Sequence, residues 1–396
     1  MSDTRISGVR GRRVWDSRGR PTVEVDVTLK GGAFGRAIAP AGASMGSGEA
    51  VDLRDGGVKL GGYDVGRAVS AVNGEIAAVL AGKDAADQAS IDQAMIVLDG
   101  TTNKGRLGGN AIVATSMAVL HAAAAASGIP LWQHLAQGRK VRIPLPEIQV
   151  FGGGAHAARR VDIQDFMVMC PGASSFAQAL EWTAEVYLAA GHIMKQAGKL
   201  QGVADEGGYW PAFRSNEEAL DTLVASILKA GFKGGDDVAI SLDVAASEFG
   251  KGGTYTLALD DRKLDTSAMI DMLGRWCEAY PIVSIEDPVA EDDAEGFVAF
   301  TRAYGGRCQV IGDDFLVTNA ARVRKAAADG AATAVLIKPN QAGTVTETGA
   351  ALDAGKAAGF GTIVSARSGE TEDVTIVHLA VGWDAGQLKV GSFSRS

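Results

Sequence analysis

The sequence predicts an α/β protein in two parts, strands and alanine-rich helices first and repeated strand–helix units after about residue 140. Three observations carry this. The run Thr22-Val-Glu-Val-Asp-Val27 alternates as a half-buried strand does. The stretches Val65 to Leu80, Ser90 to Leu98 and Ala111 to Trp132 read as helices. Beyond them, short β-branched runs alternate with helical stretches, the texture of βα units around a mostly parallel sheet.

The arginine-bearing N-terminus has no apolar stretch of signal-peptide type and passes straight into a strand pattern, so no targeting segment is expected. Ala111 to Trp132 carries no Asp, Glu, Lys or Arg and is long enough by count to cross a membrane. Its alanines, with Thr115, Ser116 and His121 among them, predict instead a buried core helix stopped by Gly128 and Pro130. Arg139 to Pro146, with two prolines, is the expected linker, dividing the chain into 1–138 and 139–396.

Composition bounds the function. With 46% hydrophobic and 21% charged residues in 396, the chain can bury a large core, which excludes disorder and a disulfide-built miniature fold. A net charge of −9 argues against a general grip on nucleic acid, though not against a small anion in a local basic pocket. Cys170, Cys277 and Cys308 are widely spaced and odd in number, which fits a reducing cytoplasm.

Five apolar runs in the second part each end in polar or charged groups: Val238 to Asp243, Ile282 to Glu286, Gln309 to Asp313, Ala334 to Lys338 and Gly361 to Ser365. From Glu286 onward the marked positions recur every 25 to 27 residues, about one strand, one helix and two short loops. In an (α/β)₈ barrel such strand ends converge on one mouth, so Asp243, Glu286, Asp313 and Lys338 would meet there. Three carboxylates without histidine or thiolate make a hard oxygen site suited to Mg²⁺ or Mn²⁺ and poorly suited to zinc. The alternative is that each acid caps the helix after its strand. Lys338 would sit at an apolar rim beside a cation, where burial and positive charge lower an ammonium's pKa and make a base for a C–H proton. Alternatively it snorkels to solvent or pairs with Asp313.

Through these residues the sequence resembles the enolases. The likeness runs in order through Asp16-Ser-Arg-Gly-Arg-Pro-Thr-Val-Glu24, Gly42-Ala-Ser-Met-Gly46, Leu53-Arg-Asp-Gly56, Asp205-Glu-Gly-Gly208, Ser215-Asn-Glu-Glu-Ala-Leu220, Leu242-Asp-Val-Ala-Ala-Ser-Glu-Phe249, Ser284-Ile-Glu-Asp-Pro288, Gly312-Asp-Asp314, Lys338-Pro-Asn-Gln341, Arg367-Ser-Gly-Glu-Thr-Glu-Asp373 and Gly386-Gln-Leu-Lys389. It implies an N-terminal α+β domain capping a TIM-like barrel with an irregular ββαα start, assembled as a homodimer or larger. It further implies a first Mg²⁺ on Asp243, Glu286 and Asp313, and a second, arriving with substrate, on Ser44 of a closing loop. Lys338 would be the base, Lys389 a ligand of the substrate carboxylate, and Glu206 the acid that protonates departing hydroxide. Gln164, Asp165 and His156 fall at active-site positions, and Arg367 and Ser368 at a phosphate-binding pair, where a guanidinium fork suits phosphate oxygens. The implied reaction is dehydration of 2-phosphoglycerate, as in glycolysis.

Three departures qualify the resemblance. Enolases read Ser-His-Arg-Ser where this chain has Ser365-Ala366-Arg367-Ser368, so an active-site histidine is missing. The family's Gln-Glu-Phe is Gln164-Asp165-Phe166, which withdraws a carboxylate by one methylene. The chain also ends at Arg395-Ser396, where enolases continue through a helical tail. The first two fall on the half of the site that handles the leaving group, leaving the proton-abstracting half intact. A specialised enzyme resembling the carboxyphosphonoenolpyruvate synthases, acting on another phosphorylated or phosphonylated carboxylate, is the competing expectation. A non-catalytic binding protein is a third.

Overall fold

The computed structural model describes residues 3–394, so the expectation resting on Arg395-Ser396 lies outside the described residues. The first part opens with an antiparallel meander of β1 (Ile6–Trp15), β2 (Pro21–Leu29) and β3 (Phe34–Ile38). On β2, Val23, Val25 and Val27 are fully buried, as their alternation predicts. The opposite face is not left to water, because Arg12 pairs with Glu24 and Asp26, and Arg36 Nε lies 2.7 Å from Asp26 Oδ1.

The charge-free segment forms a core helix, Gly109–Ala126, packed on β2 and β3 with 83% of its length buried. It also reaches the second part, where Ser116 Oγ accepts the Val345 N–H at 3.0 Å. That double burial explains why the helix is apolar on nearly every side. It ends at Ala126, and Pro130, which cannot extend a helix, instead opens a separate helix Leu131–Ala136. The stretch expected from Val65 to Leu80 is helical from Gly66, with a π-bulge at Val72–Ile76.

The second part is a closed eight-stranded barrel. It begins with β4 (Leu145–Gly152), β5 (Asp165–Met169) and β6 (Ala239–Asp243), with helices Phe176–Gln196 and Asn216–Lys229 between the last two, an irregular ββαα start. A small outer sheet of β7 (Gly250–Lys251), β8 (Thr254–Leu257) and β9 (Arg262–Asp265) follows. The barrel then closes through β10 (Ile282–Glu286), β11 (Gln309–Gly312), β12 (Ala334–Ile337), β13 (Gly361–Ser365) and β14 (Gln387–Val390), which returns to β4. All neighbours are parallel except β5, which is antiparallel to both β4 and β6. This reversal matters for chemistry: the start of β5, not its end, faces the mouth, so Gln164 and Asp165 arrive beside Asp243.

The helices around the barrel are capped by residues outside the acidic set. Ser215, Asp265, Asp293, Asn319 and Thr344 each accept a backbone N–H at a helix start. Among the described residues Asp243, Glu286 and Asp313 cap no helix, which removes the alternative reading of these acids.

Candidate active site

Register brings the strand-end residues together. Asp243 pairs with Glu286 across β6 and β10 and with Asp165 across β5 and β6, while Lys389 on β14 lies beside Ser365. The Lys389 ammonium donates to Asp243 Oδ2 at 2.9 Å and Glu286 Oε2 at 2.8 Å, and stands 3.5 Å from Asp165 Oδ2. Lys338 pairs with Asp313 Oδ2, whose other oxygen accepts from Gln341 Nε2 at 2.8 Å. Gln164 Nε2 donates to Asp243 Oδ2 at 3.1 Å. Every expected site residue except Glu286 and Asp313 lines one cavity of about 10 Å³. Those two join it through their ion pairs with Lys389 and Lys338.

This crowding sets the charges. Burial, reinforced by Asp243, holds the Glu286 carboxyl well above its ordinary range despite the opposing pull of Lys389. Burial alone would lower the Lys389 ammonium, but Asp243 and Glu286 override it and raise it strongly. Lys338, expected to be lowered beside a cation, is here balanced in the same way against a carboxylate. Burial pulls it down, yet the adjoining Asp313 carboxylate outweighs burial and raises it, so of the two alternatives to a lowered base, solvent or Asp313, the pairing with Asp313 is the one present.

The donors fit a hard divalent cation. Asp243, Glu286 and Asp313 offer only oxygens, and Glu286 Oε1 is buried with no hydrogen-bond partner. Two other gatherings among the described residues are more compact, with donor atoms within 4.8 Å: His156, Asp165 and Glu206, and Asp287, Asp313 and Asp314. In the second, Asp287 accepts the backbone N–H groups of Asp313 and Asp314 at 2.9 and 2.8 Å, bracing the turn that presents Asp313.

On the opposite side His156 lies between two carboxylates. Its Nδ1 is 2.9 Å from Asp165 Oδ1, and its Nε2 is 3.4 Å from Glu206 Oε1 and 3.0 Å from Ser368 Oγ. Burial would lower the imidazole, but Glu206 and then Asp165 outweigh it and lift it to about 9. Burial also raises Glu206, against the pull of His156, whereas His156 and Lys389 overcome burial at Asp165 and hold it low. Two carboxylates thus sit in one enclosure with opposite proton preferences, the pattern of a paired acid and base.

Arg367, buried at the end of β13, donates to Glu49 Oε2 and Asn340 Oδ1 at 3.0 Å and to the Ser44 carbonyl at 2.9 Å. Ser368 Oγ accepts the Ala43 N–H at 3.2 Å. These bonds hold the Gly42–Glu49 loop, and Ser44 with it, down on the mouth. Ala366 hydrogen-bonds through its backbone alone, donating to the Lys389 carbonyl and accepting from Ser365 Oγ, each at 2.9 Å, and brings no polar side chain to the cavity.

Sequence reasoning missed Gln149 and Glu49. Gln149 is fully buried on β4 and touches both Asp165 and Glu206. With Glu147 it forms a polar alternation within an otherwise apolar strand, a signal that was available at two-residue spacing. Glu49 gives no such signal, because only the folded loop brings it to Arg367.

Comparison with known proteins agrees with this arrangement. The enolase N-terminal domain model matches residues 6–135 and the enolase C-terminal TIM barrel domain model matches residues 140–396. The chain is 48% identical over 399 aligned positions to a protein named Enolase 1 of Desulfitobacterium hafniense (strain Y51), covering all of this chain and 91% of that one. With an acid-lined barrel mouth and family matches over both parts, the chain belongs to the enolase family of carbon–oxygen lyases.

Proposed function

We propose that this enzyme dehydrates 2-phosphoglycerate to phosphoenolpyruvate in a Mg²⁺-dependent reaction, the glycolytic step, as a cytoplasmic homodimer or larger assembly. The observation that carries the reading is that Lys338, with its carboxylate neighbours, and the His156–Asp165–Glu206 enclosure line one small cavity. Asp243, Glu286 and Asp313 would hold the first ion, Ser44 would reach the second, and together the ions supply positive charge to a carboxylate gaining electrons.

The chain's own residues account for the proton movements. Asp313 committed to the ion would leave Lys338 without the carboxylate that raises its pKa; the neutral amine then removes the proton from the carbon beside the carboxylate, and the freed electron pair moves into that carboxylate, whose oxygens Lys389 holds. The pair then returns to form the carbon–carbon double bond as the neighbouring C–O bond breaks. Glu206 gives its proton to the departing hydroxide, so water leaves. Raised by burial, Glu206 is suited to hold that proton beforehand. Arg367 and Ser368 orient the phosphate, and Gln164, Asp165 and His156 set the charge around the leaving group. A cavity of 10 Å³ has room for about one water, so substrate entry requires the Gly42–Glu49 loop to lift and Arg367 to exchange Glu49 for phosphate.

One feature favours the second reading, a related phosphorylated or phosphonylated carboxylate with a larger group on the leaving side. Ala366, Glu206 and Val390 also border a second cavity of about 240 Å³, whose wall includes Val374, Ile376 and Val377. The assay follows ultraviolet absorbance of the enol product from 2-phosphoglycerate with Mg²⁺ and then with chelator. Turnover that chelator abolishes supports the first reading. Slow exchange of the α-proton without product supports the second, and neither activity would mean a binding protein.

A further inference from the structure

Gln149 closes a ring around the acid side of the site. Its Nε2 donates to Asp165 Oδ1 and, at 3.3 Å, to Glu206 Oε2, while its Oε1 accepts the Gly208 N–H at 2.9 Å. His156 bridges the same two carboxylates from the other side. The amide orientation is fixed by chemistry, because a backbone N–H can only donate: Oε1 must face Gly208, and both N–H donors must face the carboxylates. The carboxamide is also clamped. A Cβ on Gly208 would run into Gln149 Oε1, and one on Gly152 would stand 3.0 Å from it, so no side chain but hydrogen leaves the amide its place.

Length explains why a glutamine suits this position. Asp165 is one methylene shorter than the glutamate of the family pattern, so its carboxylate is drawn back toward β5. A residue reaching it from the facing strand must supply the missing length. Gln149 and Asp165 lie on neighbouring antiparallel strands, and the glutamine's extra methylene spans the gap to Asp165 while still reaching Glu206.

We propose that Gln149 is the positioning residue of this enzyme's acid half, compensating in length for Asp165 and holding Glu206 where it can protonate the leaving hydroxide. The proposal rests on the dehydration reading above and adds to it the residue that orients the acid. Gln149 touches no reacting atom. Its effect passes through the rotamer of Glu206 and through the hydrogen bond it donates to Asp165, which favours the ionised form of that carboxylate.

The test is a methylene exchange across the two strands. Gln149→Asn withdraws the amide, and Asp165→Glu crowds it. Each alone is expected to slow dehydration of 2-phosphoglycerate about 10- to 100-fold, with kcat falling more than KM rises. Exchange of the α-proton, which depends on Lys338, is expected to stay within about twofold. The double variant restores the summed length and is expected to recover most of the lost rate. A double variant as slow as the product of the two single effects overturns the proposal, as does a parallel loss of exchange. Should a single variant not fold, Gln149→Glu keeps the shape and removes the donors. It is expected to slow dehydration and to move the pH profile of kcat, and an unmoved profile with wild-type rate is the overturning result. Failure of the underlying reading is distinct, since the unaltered enzyme would then show no dehydration at all.

Discussion

The Nζ of Lys389 lies 2.8 Å from Glu286 Oε2, and the same ammonium holds Asp243 at 2.9 Å. The lysine expected on the substrate carboxylate therefore neutralises two expected ligands of the metal in the present arrangement. Removing it in Lys389→Met leaves buried carboxylates without their counter-charge, at a cost of about 3–5 kcal/mol. The metal-free variant is expected to melt several degrees lower, and Mg²⁺ to raise its Tm more than it raises that of the wild type. Calorimetry with chelator and with excess Mg²⁺ checks this, and equal shifts in both proteins would count against the proposed ligands.

Glu206→Gln keeps the shape of the acid and removes its proton. The variant is expected to exchange the α-proton at close to the wild-type rate while losing about 10²- to 10⁴-fold in dehydration. Proton NMR in deuterated buffer, with product absorbance in parallel, separates the two steps. Loss of both together would assign Glu206 to proton abstraction instead.

The legible part of the site was the part repeated by the barrel. Asp243, Glu286, Asp313 and Lys338 follow apolar runs at strand–helix intervals, so spacing and residue type were enough to place them at one mouth. The ion pair of Lys338 with Asp313 was legible only as an alternative, because it turns on where the Asp313 side chain comes to rest against the ammonium. The enclosure at β5 was legible only through the family resemblance and not through spacing. Reversal of that strand puts its first residue at the mouth, and the apolar residues Phe166 to Met169 do not reveal its direction. Gln149 and Glu49 belong to a third kind, polar residues whose role depends on partners 16 and 318 positions away.

Ala366→His returns an imidazole to the wall shared by the two cavities. If dehydration of 2-phosphoglycerate is the native reaction, the variant is expected to turn over about tenfold faster, because a proton donor then stands near the leaving hydroxyl. Steady-state kinetics on this substrate decides the point. An unchanged or slower rate would show that the space beside Ala366 serves a different substrate.

His156 carries a pH signature. Its pKa rises from the ordinary 6.5 to about 9 on folding, so the protonated ring stabilises the native state fully below about pH 6.5. That contribution is lost as pH climbs through 9. The Tm difference between wild type and His156→Asn, measured without metal, is expected to shrink steadily across this window. A difference that stays constant would mean that the imidazole is neutral throughout.

The central claim is that Lys338 takes a proton from carbon, and exchange at that carbon tests it most directly. With Mg²⁺ in deuterated buffer, the wild type is expected to wash the α-proton out of 2-phosphoglycerate, and Lys338→Ala to leave it in place although folded and able to bind Mg²⁺. Wash-out by the alanine variant at the wild-type rate would contradict the account.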